Sequence, residues 1–182
     1  MKSITESVKS FFKQKGMRFE QIDNSSAFKT GFAGHNGRFL GYLAVDEEER
    51  TILIKPVSPA KAPKNKMSKA AELISRINRP LLVGNFELDI DTGLITYKTS
   101  IILGDSDLHN DVLENLLFAN WWAMDRYFPT FNLVIFGDVQ PKKAVEMIRK
   151  SRGSVSDNSD DDNGTPKIPS QWLRDILGGS MN

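Results

Sequence analysis

The chain opens with an apolar stripe of helical period. Ile4, Val8, Phe11 and Phe12 share one face, Ser3 stands ahead of them with Glu6 three residues later, and Gly16 follows. This spacing predicts a helix over residues 2–15, begun by a capping box and stopped by glycine. The period then falls to two. Alternating apolar and polar positions predict strands over 17–22, 27–33, 38–45 and 51–57. His35-Asn36-Gly37 and Asp46-Glu47-Glu48-Glu49 read as the hairpin turns between them. Pro56, Pro59 and Pro63 make 56–66 a loop. Helical period returns over 68–78, with Ser68 as cap, Ala70, Ala71, Ile74 and Ile77 inward, and Pro80 as the stop. Two further strands, 85–90 and 94–103, flank the turn Asp91-Thr92-Gly93.

A long helix follows over 107–128, with Pro129 expected to close it. Residues 131–136 then read as an apolar strand or extended segment, and Pro141 begins a helix running to about residue 150 with Ala144, Val145 and Ile148 inward. The long helix is rich in rings, "NLLFANWWAMDRYFPTF" over 115–131. At 100° per residue, Leu113, Leu117, Trp121, Met124 and Phe128 form one stripe, flanked by Leu116 and Tyr127. That stripe is a core face. Phe118 and Trp122, one turn apart, fall on the other side among Glu114, Asn115, Asp125 and Arg126. Two rings there have two readings. Either a neighbouring element such as the 141–150 helix covers them, or they anchor a partner.

From residue 153 the composition changes. A domain over 1–152 gives way to an acidic flexible linker over 153–166, with Asp157, Asp160, Asp161 and Asp162. An amphipathic tail over 167–182 follows. In it Trp172, Leu173, Ile176 and Leu177 would make one helical stripe, capped by Ser170 and ended by Gly178. So short a helix does not hold alone in water, so the stripe docks on its own domain, inserts into a partner's groove, or stays unfolded.

The segments "RINRPLLVGNFELDIDTGLITYKTSIIL" (76–103) and "LLFANWWAMDRYFPTFNLVIFGDVQPKKAVEMI" (116–148) resemble the YbjN family of bacterial proteins. The resemblance is carried by Phe86, Leu88, Asp91, Gly93, Ile95 and Tyr97, then by Asp125, Tyr127, Pro129, Gly137, Pro141 and Ala144. It covers residues 1–150, and the proline-rich loop and the tail depart from it. It implies an α+β fold, an antiparallel sheet packed by helices as in type III secretion chaperones. It also implies a frequent homodimer and no defined enzyme activity.

Composition narrows the chemistry. The 182 residues are 40% hydrophobic and 26% charged with a net charge of +1, which suits a globular domain with no overall field toward nucleic acid or membrane. Without cysteine, a disulfide, a thiol nucleophile, a thiolate zinc site and an iron–sulfur cluster are excluded. The first residues lack a signal-peptide pattern, and no apolar run approaches the ~20 residues that span a bilayer, so a cytoplasmic location is expected.

No catalytic, cofactor or metal site is expected. His109 has Asp105, Asp107 and Asp111 near it in sequence, but acidic residues at a helix start have the simpler role of meeting the positive helix end. His35 belongs to a turn. Gly31, Gly34, Gly37 and Gly41 lack the following helix of a phosphate loop. Asp89 and Asp91 form a better turn than a carboxylate dyad. The expected function is a non-enzymatic, chaperone-like or regulatory protein-binding module, with Phe118, Trp122, Trp172, Leu173, Ile176 and Leu177 as anchors. The alternative is nucleic-acid or nucleotide binding through loop 61–69 and the 142–152 helix: Lys61, Lys64, Lys66, Lys69, Lys142, Lys143 and Arg149. That set lacks interleaved aromatics for stacking on bases.

Overall fold

The structure, a computed structural model, describes residues 2–153, with side chains through residue 150. The acidic run and the anchors Trp172, Leu173, Ile176 and Leu177 lie outside the described residues. Helix α1 (Ile4–Gln14) leads into strands β1 (Phe19–Gln21), β2 (Ala27–Ala33), β3 (Arg38–Asp46) and β4 (Thr51–Val57). Helix α2 (Met67–Asn78), strands β5 (Asn85–Leu88) and β6 (Ile95–Ile102), and helices α3 (Asn110–Ile135) and α4 (Pro141–Gly153) complete the order. The strands form one six-stranded sheet in the order β1-β2-β3-β4-β6-β5, antiparallel throughout. The fold is the α+β architecture implied by the resemblance.

The sheet's period of two sorts its faces. Phe28, Phe32, Phe39, Leu43, Ile52, Ile54, Phe86, Ile95 and Tyr97 point into the core. α1 closes one end through Phe12, whose ring meets Phe19 and Phe28 at 5.1 and 6.0 Å. α3 crosses the middle. Trp121 stacks on Phe32 at 5.1 Å, Phe128 meets Phe39 at 5.3 Å and Phe131 meets Phe86 at 5.0 Å. On the other face Leu40, Tyr42 and Ile102 are exposed. There Glu87 lies between two cations, 2.8 Å from Lys55 Nζ and paired also with Lys98. Burial alone would raise the Glu87 pKa; the hydrogen bonds and charges of the two lysines outweigh it and hold the group below the usual carboxylate range.

Several boundaries differ from the sequence reading. Ser68 does not cap α2, because a 3₁₀ turn over Lys64–Lys66 runs straight into the helix at Met67. The long helix begins at Asn110, not 107, and it does not end at Pro129. It continues to Ile135, so 131–136 is not a strand, and Phe131, Val134 and Ile135 are core.

The physical reason lies four residues upstream. Pro129 has no N–H for the carbonyl of Asp125. That carbonyl instead accepts a 3.0 Å hydrogen bond from the side-chain amide of Asn36, in the β2–β3 turn. The orphaned acceptor is satisfied from outside the helix, and apolar packing on both sides of Pro129 carries α3 through it.

Candidate functional site

The same turn is held by the Asp125 side chain. Its carboxylate accepts the backbone N–H of His35 at 3.1 Å and of Asn36 at 2.7 Å, and the Asn36 amide at 3.3 Å. These bonds let a carboxylate only 6% exposed remain inside the protein. Gly34 makes the approach possible: a Cβ there would lie 2.2 Å from Asp125 Oδ1. The His35-Asn36-Gly37 turn is therefore both a hairpin connection, with Gly34 N–H donating to the Gly37 carbonyl at 2.8 Å, and a clamp on α3.

Beside this clamp a cleft of about 600 Å³ opens between α3 and α4. Trp122, Pro129 and Leu133 come from α3, Ala144, Met147 and Ile148 from α4, and His35, Asn36 and Arg126 stand at the polar side. The volume lies in the range of sites that take small ligands or a few side chains. Met147 is 44% exposed there, and its flexible thioether suits an adaptable apolar contact. Arg126 lies over the Trp122 ring at 5.3 Å, and Tyr127 meets that ring edge-on at 6.5 Å. On α4, Lys142, Lys143, Glu146, Arg149 and Lys150 are exposed, and none of them lines the cleft.

Of the predicted anchors, Trp122 is partly buried and lines the cleft. Phe118 is 3% exposed, so of the two readings the sequence left open for it, the covered one describes this residue. α3 as a whole packs against β4, β6, α2 and α4, neighbours that a helical wheel does not see. Sequence reasoning missed Leu133, Met147 and the clamp residues. A signal for the clamp was present: a lone Asp four residues before a proline, inside an apolar helix.

The alternative basic set is divided. Lys66 is tied by an ion pair to Asp138, just ahead of α4, while Lys61, Lys64, Lys142, Lys143 and Arg149 are exposed. Lys69 is partly buried.

Among the described residues no group of three or more His, Cys, Asp or Glu side chains comes together that could hold a metal. His109 sits at the N-cap position of α3 without a side-chain capping bond. Asp89 accepts the backbone N–H of Asp91 at 2.9 Å and of Thr92 at 3.2 Å. Hydrogen bonds from the Thr92 side chain and then its backbone lower its pKa, as expected of a turn carboxylate. Tyr97 is buried, which raises its pKa, and its hydroxyl donates to the Val83 carbonyl. No helix among the described residues is long and apolar enough to cross a membrane.

The sequence profile of the YbjN family, described as "Putative bacterial sensory transduction regulator", matches residues 5–133. The chain belongs to the YbjN family. No curated protein sequence matches this YbjN-family chain. Solved structures resemble it. The ExsC–ExsE complex aligns with a TM-score of 0.53 at 13% identity, covering 74% of this chain and 98% of that one. YbjN from E. coli aligns at 0.47 and 14% identity, over 82% and 91% of the two chains. The HopA1–SchA chaperone–effector complex aligns at 0.45 and 14%, over 70% and 95%. The likeness to the ExsC–ExsE structure is one of fold.

Proposed function

We propose that this chain is a protein-binding module, chaperone-like or regulatory and without enzyme activity, working in the cytoplasm as a homodimer. Its partner site is the α3–α4 cleft. One observation carries the reading: Trp122, Leu133, Met147 and Ile148 line one cleft together with Arg126, and Met147 there is 44% exposed. The occupant that fits is a peptide segment with large apolar side chains on one face and acidic residues next to them. Apolar burial supplies the affinity, and the Arg126 charge sets orientation. Family membership and a fold shared with a protein solved in complex with another, ExsC with ExsE, are in keeping with this role.

The test begins with capture of partners on the full chain and their identification by mass spectrometry. The purified partner is then titrated against wild type, Met147→Glu and Ile102→Glu. Met147 is exposed in the cleft, and Ile102 is 75% exposed on the opposite face of the sheet. Met147→Glu is expected to cost about 2 kcal/mol of binding, the scale of a central anchor, with the melting temperature unchanged. Ile102→Glu should bind as wild type. The reverse pattern would move the site to the uncovered sheet face. Capture of nucleic acid instead, with affinity that collapses on adding salt, would return the function to the lysine set.

A further inference from the structure

The partner chemistry that the cleft selects is also written in this chain. Beyond Gly153 come Asp157, Asp160, Asp161 and Asp162, then Ser170 and the stripe Trp172, Leu173, Ile176 and Leu177. An acidic run followed by apolar residues at i, i+1, i+4 and i+5 is an anionic segment with one apolar helical face. We propose that residues 170–177 dock in the α3–α4 cleft of the same chain, against Trp122, Leu133, Met147 and Ile148, and act as a built-in competitor for the partner. This rests on the cleft being the partner site.

The reach is favourable. Met147 and Ile148 precede Gly153 by six and five residues of α4, so the cleft lies about 8–9 Å along the helix from where the chain leaves it. A chain as long as residues 154–169 has an r.m.s. span of about 20–24 Å as a coil. It therefore returns to the cleft unstrained, at an effective concentration on the order of 1 mM. The acidic residues pass the exposed Lys142, Lys143, Arg149 and Lys150 on the way, a favourable though screened attraction. A stripe too short to hold a helix by itself gains its order only by burial. Even with an intrinsic dissociation constant of about 100 µM, such a segment fills its own cleft about nine-tenths of the time. A competing partner would then bind about elevenfold more weakly than to an empty cleft.

The chain contains no cysteine, so a pair introduced by mutation reports proximity cleanly. In the full chain, Met147→Cys is combined in turn with Trp172→Cys, Leu173→Cys, Ile176→Cys and Leu177→Cys, with Ile102→Cys plus Ile176→Cys as control. Mild oxidation at micromolar protein should give an intramolecular disulfide in at least one cleft pair, about tenfold faster than in the control. A covalent dimer as the main product would mean that the segment enters a second copy and would overturn docking in cis. Equal rates in cleft pairs and control would overturn docking altogether. The competitor role is read separately. Trp172→Ser with Ile176→Ser in the otherwise native chain should tighten partner binding about tenfold, and unchanged affinity would overturn that role. The cross-link needs no partner. If partner binding ignores Met147→Glu while the cleft pairs still close, the partner reading has failed and the docking has not.

Discussion

Asp125 shows how much one residue can organise. It is buried, it accepts two backbone N–H groups of the 35–36 turn, and its own carbonyl is the one that Pro129 leaves without a donor. Asp125→Ala strands those two N–H groups, and denaturant unfolding should show a loss of about 1–3 kcal/mol. Gly34→Ala alone should lose a similar amount by overpacking, about 1–3 kcal/mol, since its Cβ would overlap the carboxylate. The double variant should cost clearly less than the sum, because removing the carboxylate makes room for the methyl group. Strict additivity would contradict the clamp. A second carboxylate acts at a helix start. Glu47, from the β3–β4 turn, accepts the Ser3 hydroxyl at 2.8 Å and the N–H groups of Ile4 and Thr5 at 3.2 and 2.8 Å. Burial would raise its pKa, but these bonds, the Thr5 N–H foremost, overcome that and lower it to about 2 from an ordinary 4.5. A lowered folded-state pKa gives stability that is complete above pH 4.5 and lost as pH falls toward 2. Glu47→Gln should therefore cost about 1 kcal/mol at neutral pH, after allowing for solvent screening, with the gap to wild type closing across that window.

At the scale of elements, α3 departs most from its sequence pattern. A proline inside a helix normally costs about 3 kcal/mol. Here the freed carbonyl already has the Asn36 amide as a donor. Pro129→Ala should therefore gain well under 3 kcal/mol in thermal unfolding, and Asn36→Ala should restore part of the missing gain. A full gain in the Asn36-intact protein would mean that the amide does not compensate. β5 is finished in a similar way. It is an edge strand, and Asn78 at the end of α2 bonds both sides of Phe86, accepting its N–H at 2.8 Å and donating to its carbonyl at 3.0 Å. One side chain thus takes the place of a neighbouring strand at that point and blunts the open edge.

At the scale of the whole molecule, charge is nearly balanced, with 24 basic and 23 acidic residues, so association is guided only by local fields. The Arg126 charge at the cleft, with the exposed cations elsewhere on α4, is such a field. Protein binding there should weaken only several-fold between about 0.05 and 0.2 M salt, because the floor is apolar. A nucleic-acid ligand held by six or more phosphate contacts would lose on the order of 10³ over the same range. Isothermal titration at the two salt concentrations separates these cases.

Much of the architecture was legible from local rules. The apolar periods located α1, α2, α4 and the strands to within a few residues, and the turns at 35–37 and 91–93 stood out by their Asn, Asp and Gly content. Gly93 has φ +73° and a Cβ there would meet the Ala62 carbonyl at 2.0 Å, so glycine answers both a local and a distant demand. What the sequence by itself determined was therefore whatever depends on neighbours along the chain: helix and strand periods, turn chemistry, and the absence of thiol chemistry. Tertiary structure alone decided the rest. α3 passes through Pro129 because a donor ninety residues away in the chain meets its free carbonyl, with Asn36 and Asp125 differing by 89 positions. Phe118 is buried although its own helix offers it a polar face. The cleft exists only where α3, α4 and one hairpin turn converge. Each of these depends on which surfaces meet, and periodicity along a single element carries no record of that.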